Sequence, residues 1–360
     1  CAALGGSDGT EAARLATRER RFDRLLADVA LTAREVRAAA ARRSDVPSVD
    51  AVLARIGVLS RRAIGRDLTE GAVVRRYPLR GEFAASIASS GPFLAELDRR
   101  GLLLLVGERR GQGPRIVVAR IVLLAADERA DVLGTALTFD ECWVESAGLP
   151  AGLDGLGGGL AGLTIDRLVT IQLDAALRGP APLAVGLEVE PRPAPTRDEL
   201  LALDTPSAVA ARIETDLARD GRLGPATLEA VRRHELAHVR DARRLLPLTA
   251  HPLRGLALLV SHGFDGAAIE ASLEAHAAVV ALAESDAPRA ALAGLLGFLP
   301  ATDGASPHVR GYRDAVARAV EILADDPQAF PSLRRDRNLL QQLDRLTDDE
   351  IRELGRRLLR

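Results

Sequence analysis

His234 and His238 stand four residues apart, with Glu235 directly after the first. On an α-helix, positions i and i+4 share a face, so both imidazoles can reach one metal ion. Glu235 points toward the same ion and can take a proton from water bound there. The pattern H-E-x-x-H therefore predicts Zn²⁺ as cofactor and zinc-dependent hydrolysis, most often of peptide bonds, with a peptide or protein as substrate. Only six histidines occur in 360 residues, so chance would produce this pattern about once in a hundred such chains. None of the six precedes position 234.

The flanks predict the helix that this chemistry needs. Gly224-Pro225 precedes the motif and Pro247 follows it, with Pro225 suited to the first helical position. Between them Ala226 to Leu246 carries no Gly or Pro, and Leu228, Val231, Leu236, Val239 and Leu245 supply a buried side.

A catalytic zinc takes three protein ligands and keeps one position open. Val239-Arg240-Asp241 follows His238, so no H-x-x-G-x-x-H continuation is present. The motif resembles that of the gluzincin clan of zinc peptidases, in which a glutamate on a second helix downstream completes the site. Asp265 to Ser285 is expected to be that helix, capped by Asp265 or by nearby Ser261. Glu274-Ala275-His276-Ala277 is similar to the E-A-x-A segment of several gluzincin-like families, which makes Glu274 the expected third ligand. Glu270, four residues earlier on the same face, is the alternative ligand or a group beside it. Ala271, Ala275, Ala277 and Ala278 would let the two metal helices approach closely. Without metal, the Glu274 oxygens should lie roughly 3–5 Å from the two imidazoles.

Around these ligands, Asp241 lies at i+7 from His234 and i+3 from His238. It could hold a histidine N–H, or simply pair with Arg240 or Arg244. Oxyanion stabilisation calls for a Tyr, His or Arg opposite the metal. Tyr312 is the catalytic candidate, with His308 and His262 beside it. A different reading is a non-catalytic envelope lipoprotein with a structural or vestigial zinc. That closed site would need a fourth protein ligand such as Asp241, His262 or His276.

Composition removes other classes. All 48 basic residues are Arg, Asp and Glu total 50, net charge is -2 and aromatics are 3%. Arg42-Arg43, Arg61-Arg62, Arg109-Arg110 and Arg243-Arg244 thus read as solvated helical faces, and nucleic acid is not expected as a partner. Gly157 to Gly162 matches G-x-G-x-x-G but lies in a glycine tract, and a P-loop needs the Lys that is missing; no nucleotide is expected. Cys142, beside Trp143, reads as a small buried hydrophobe.

Cys1-Ala2-Ala3, followed by the Gly/Ser/Asp-rich Leu4 to Thr10, looks like a bacterial lipoprotein after signal-peptide cleavage. The expectation is a lipid anchor on Cys1 as the sole membrane attachment, with the body facing the periplasm or the cell surface. Leu102 to Val106, Ile116 to Ala126 and Leu256 to Val260 are too short or interrupted to span a bilayer.

The expected fold class is α+β: a mixed helix/strand domain, then a mainly α-helical zincin-like domain. Its divisions are a tether over 1–10, an α+β domain of unknown role over 11–190, a Pro-rich linker over 191–195, and a helical metallopeptidase-like domain over 196–360. Helices are expected at Glu11 to Arg43, Val49 to Arg66 and Phe93 to Arg100, and strands at Ala72 to Leu79, Leu102 to Val106, Arg115 to Leu124, Leu168 to Leu173 and Leu183 to Glu190. After the linker, helices are expected at Asp198 to Leu203, Ser207 to Asp220, Ala290 to Leu299, Val309 to Ala324 and Leu333 to Leu343. A last one starts at the Thr347 to Glu350 capping box.

Overall fold

The computed structural model describes residues 8–42, 45–67, 69, 72–75, 87–90, 102–109, 113–145, 162–165, 168–173, 177, 204–245, 252–299 and 307–360. Cys1 and the 1–10 tether (apart from the helical start at 8–10), the 191–195 linker, and the elements expected at 93–100, 183–190 and 198–203 lie outside them. The chain is α+β and forms two compact units, one of 1–122 with 144–158 and one of 123–143 with 159–360. The β4–β5 arm thus belongs with the helical half, whereas the sequence reading kept every strand before the linker.

In the first unit, α1 (Asp8–Arg42) packs on α2 (Val49–Ile64). Ser48 caps α2 by accepting from the Ala51 N–H at 3.2 Å, and Gly65 closes it at φ 74. β1 (Ala72–Arg75), β2 (Ile87–Ser90), β3 (Leu102–Arg109) and the start of β4 (Gly113–Val132) follow one another in the sheet, β1 to β4 antiparallel. Leu25, Val29 and Val36 of α1 meet Val52 and Ile56 of α2 and Val106, Ile116 and Val118 of the strands in one core. The short β2 carried no sequence signal.

In the second unit the order is β4, β5 (Thr135–Glu145), β7 (Leu168–Gln172), β6 (Gly162–Ile165). The sequence reading missed β5, whose alternation is interrupted by Glu141 next to Cys142. It is fixed by a two-residue turn, Leu133-Gly134, with both residues at positive φ (49 and 70). Val132, Leu137 and Phe139 of this hairpin, with Val169 and Ile171 of β7, bury against helical residues of the same unit.

Those helices are α3 (Asp204–Arg219), α4 (Leu223–Leu245), α5 (Pro252–Ser261), α6 (Gly266–Glu284), α7 (Pro288–Gly297), α8 (Pro307–Asp325) and α9 (Asp348–Leu358). α6 is the axis: α4, α7, α8 and α9 all pack on it. It is apolar nearly all round, as a helix enclosed by others must be. By length and composition α6 is apolar enough to cross a membrane, but half of it is buried within the unit. Two small-residue contacts set its spacing. A Cβ on Gly311 of α8 would lie 2.1 Å from the Ala271 carbonyl oxygen, and one on Gly355 of α9 would lie 2.6 Å from the Ala283 nitrogen.

Two further expectations change. Leu333 to Leu343 is not a helix but a series of turns ending in a 3₁₀ segment, Leu340–Arg345. Polar side chains take the backbone partners there: Asn338 accepts from the Gln341 N–H at 3.2 Å, and Gln342 bonds both N–H and C=O of Arg334. Conversely α5, read only as an apolar run, is helical. The Thr347–Glu350 capping box forms as expected.

Candidate metal centre

α4 carries the H-E-x-x-H motif at mid-helix, and Pro225 occupies its first turn. Leu236, Ala237 and Val239 enter the core shared with Ala277 and Val280 of α6 and Phe139 of the hairpin. Anchoring that face leaves His234 and His238, one turn apart, on the neighbouring stripe. Arginines fasten the hairpin to the same helix. Arg232 bonds Glu141 at 3.0 Å and lies over the Phe139 ring, Arg233 donates to the Asp131 carbonyl at 2.8 Å, and Arg243 donates to the Thr138 carbonyl. Arg243 and Arg244 are both exposed, as expected of a solvated face, and Arg243 also ties that face to the sheet. From α6, the Glu284 carboxylate accepts the Leu133 N–H at 3.0 Å and so holds the hairpin turn.

Three donor atoms converge. His234 Nε2 and His238 Nε2 are 3.1 Å apart, and Glu274 Oε2 lies 3.4 Å from the first and 3.3 Å from the second. Those separations fall within the range expected for a metal-free site. His308 Nε2, in the first turn of α8, lies 3.1 Å from the same Glu274 oxygen. Glu270 is not in the converging group, which among the described residues is His234, His238 and Glu274.

The set fits a zinc ion. A tetrahedral zinc with ligands at about 2.0–2.1 Å spaces its donor atoms about 3.3 Å apart, close to all three edges of this triangle. Glu274 Oε2 is buried among three imidazole nitrogens at 3.1–3.4 Å, and a cation within the triangle would be held by that carboxylate and both motif imidazoles at once.

Electrostatics follow the same geometry. Burial opposes a charge on His238, but the Glu274 carboxylate, helped by Glu235 and Asp241, carries its pKa up to about 9. Burial would raise Glu274; the imidazoles of His238, His234 and His308 prevail and hold its carboxyl well below the usual range. Tyr312 moves the other way. Burial first, then the charges of Glu274 and Glu235, push its hydroxyl well above the ordinary phenol value, so it stays a neutral donor. Glu235 itself is 5 % exposed.

Tyr312 lies one turn after His308 on α8, with ring centroids 6.1 Å apart, and its ring is 6.5 Å from that of His234. The Gly311–Ala271 contact is what brings both side chains to α6. Ala271 and Ala275 therefore serve the approach of α8; Ala277 alone of the four small residues shares the core with Leu236 and Ala237 of the motif helix. Phe298, just past α7, packs on both His308 (5.3 Å) and Tyr312 (5.6 Å). No spacing rule pointed to it, because its role arises from a contact between two helix ends.

The remaining sequence candidates lie elsewhere. Asp241 accepts from His276 Nδ1 at 2.7 Å and sits 3.6 Å from Arg240, so the histidine that it holds is His276. His262 places Nδ1 2.9 Å from both the Leu258 carbonyl and the Ser261 hydroxyl. Cys142 is buried, as its neighbours implied. No family model, curated protein or solved structure matches the chain.

Proposed function

We propose that this chain is a zinc-dependent peptidase of gluzincin type, in which a helical zincin-like domain follows an α+β domain. The observation that carries the proposal is the near-equilateral triangle of His234 Nε2, His238 Nε2 and Glu274 Oε2, with edges of 3.1–3.4 Å. Two imidazoles and one carboxylate are a donor set suited to zinc with an open fourth position. The three residues considered for closing that position are engaged otherwise: Asp241 with His276, and His262 with Leu258 and Ser261. This supports the catalytic reading over the structural one.

When bound, zinc would supply Lewis acidity toward a carbonyl oxygen and toward water. Glu235 is the general base, taking a proton from the attacking water and returning it to the leaving amine. Its burial beside His238 keeps that carboxylate within the electrostatic reach of the site. Tyr312 remains protonated and can donate to the oxygen on which negative charge develops. His308, 3.1 Å from Glu274 Oε2, orients the carboxylate ligand.

The test compares wild type with Glu235→Gln for metal content and for hydrolysis of casein. The variant is expected to keep one equivalent of zinc and to lose activity by about 10²-fold or more. Equal activity of the two proteins would remove Glu235 as base and the peptidase reading with it.

A further inference from the structure

Asp241 is a carboxylate with only 6 % exposure, and two groups hold it there. Its Oδ2 accepts from His276 Nδ1 at 2.7 Å, and its Oδ1 lies 3.6 Å from Arg240 Nη1. A buried carboxylate is costly without such partners. The bond to His276 crosses from α4 to α6, the two helices that carry the metal donors. Asp241 lies three residues after His238, and His276 lies two after Glu274. Asp241 thus serves the site by holding the helix that delivers Glu274.

Two residues of an α-helix turn about 200° round its axis, so Glu274 and His276 leave α6 on opposite flanks. Ala277 and Val280 lie in the arc between those flanks and share a buried core with Leu236 and Ala237 of α4. The contact between the helices is therefore bordered by the metal triangle on one flank and by the Asp241–His276 bond on the other. Small side chains such as Ala237 and Ala277 interlock weakly, so a single clasp would let α6 roll about this contact. Two clasps on opposite flanks fix its rotation. Glu270 stands on the same face as Glu274, one turn earlier and about 6 Å along the axis. A slide of α6 by that distance would offer Glu270 to the imidazoles, and the 2.7 Å bond opposes the slide as well.

We propose that Asp241 and His276 are positioning residues whose bond sets the rotation and register of α6 on α4, so that Glu274 completes the metal triangle. The inference rests on the metal-centre reading and adds to it two residues that supply none of the three donor atoms.

The readouts are zinc affinity, by competition with a chromophoric chelator, and the visible absorption bands of the Co²⁺-loaded chain. His276→Leu removes the donor and keeps a bulky side chain; His276→Ala removes it with little demand on packing. Both should bind zinc about 10–100-fold more weakly than wild type and shift the Co²⁺ bands. His276→Asn places an amide N–H where the imidazole Nδ1–H stood and should restore affinity and bands to near wild type. Leu340→Ala opens a cavity in the 3₁₀ segment of the same unit, where Leu340 is fully buried, and should lower stability while leaving affinity and bands unchanged. Circular dichroism verifies the fold of each variant. The proposal is overturned if the Leu and Ala variants bind zinc as tightly as wild type, if His276→Asn is as impaired as they are, or if Leu340→Ala weakens zinc equally. Wild type that binds no zinc would remove the metal-centre reading together with this proposal; wild type and donorless variants that bind it equally would remove the proposal alone.

Discussion

Gly311→Ala tests how the site is assembled, because it changes only the spacing of α8 from α6. The added Cβ would sit 2.1 Å from the Ala271 carbonyl oxygen, 3.0 Å from its carbon and 3.2 Å from the Ala275 nitrogen. All three are backbone atoms of a helix packed on its other sides, so α8 must move outward by about 1 Å to restore van der Waals contact. Overpacking of this kind costs up to about 3 kcal/mol, and the gain in helix propensity from Gly to Ala returns about 1 kcal/mol. The net of about 2 kcal/mol corresponds to a fall in Tm of about 4–8 °C for a unit of this size. His308 and Tyr312 ride on α8, whereas the three ligand atoms lie on α4 and α6. Zinc content should therefore persist while hydrolysis falls, by about 10²-fold for a displacement near 1 Å. Gly294→Ala is the matched control: no atom lies within 4 Å of its added Cβ, so it should be neutral or stabilising by up to about 1 kcal/mol. Calorimetry, metal analysis and casein hydrolysis on both variants read the three quantities. A Gly311→Ala protein as stable and as active as wild type would refute the close approach of α8 as the source of the site.

His234→Ala and His238→Ala should each abolish stoichiometric zinc binding, since the remaining ligands cannot form the set; a full equivalent in either variant, by metal analysis, would place the site elsewhere. In the metal-free protein, His238 has its pKa raised from 6.5 to about 9. Its contribution to stability is thus fully present below pH 6.5 and is lost as pH rises through about 9. Melting temperatures of apo protein should accordingly decline over that window, and less so in His238→Gln. Glu274 works in the opposite sense: with its pKa lowered, its share is present above about 4.5 and disappears as pH falls below that value. Apo Glu274→Gln should therefore show a weaker acid destabilisation than wild type.

The sequence alone determined the parts of the site that are local. The i, i+4 spacing of His234 and His238 puts two imidazoles on one face of any helix, and Pro225 and Pro247 each fall within two residues of its ends, Leu223 and Leu245. Asp265 and Thr347 announced helix starts by side chains that bond their own neighbouring backbone. Contacts across long separations decided the rest. Glu274 and Glu270 share a face, and only the packing of α6 on α4 brings the first to both imidazoles. Gly311 looked like any helix glycine until Ala271 came within reach of it, and Phe298 is defined by two helix ends meeting. Likewise β5 escaped notice because Glu141 next to Cys142 interrupts its alternation, and what fixes its hairpin comes from arginines of α4 and the Glu284 carboxylate of α6, about 90 to 150 residues away. A short-range pattern is written in propensity and periodicity; which surfaces meet depends on the three-dimensional fit of side-chain volumes, and no window of sequence contains that.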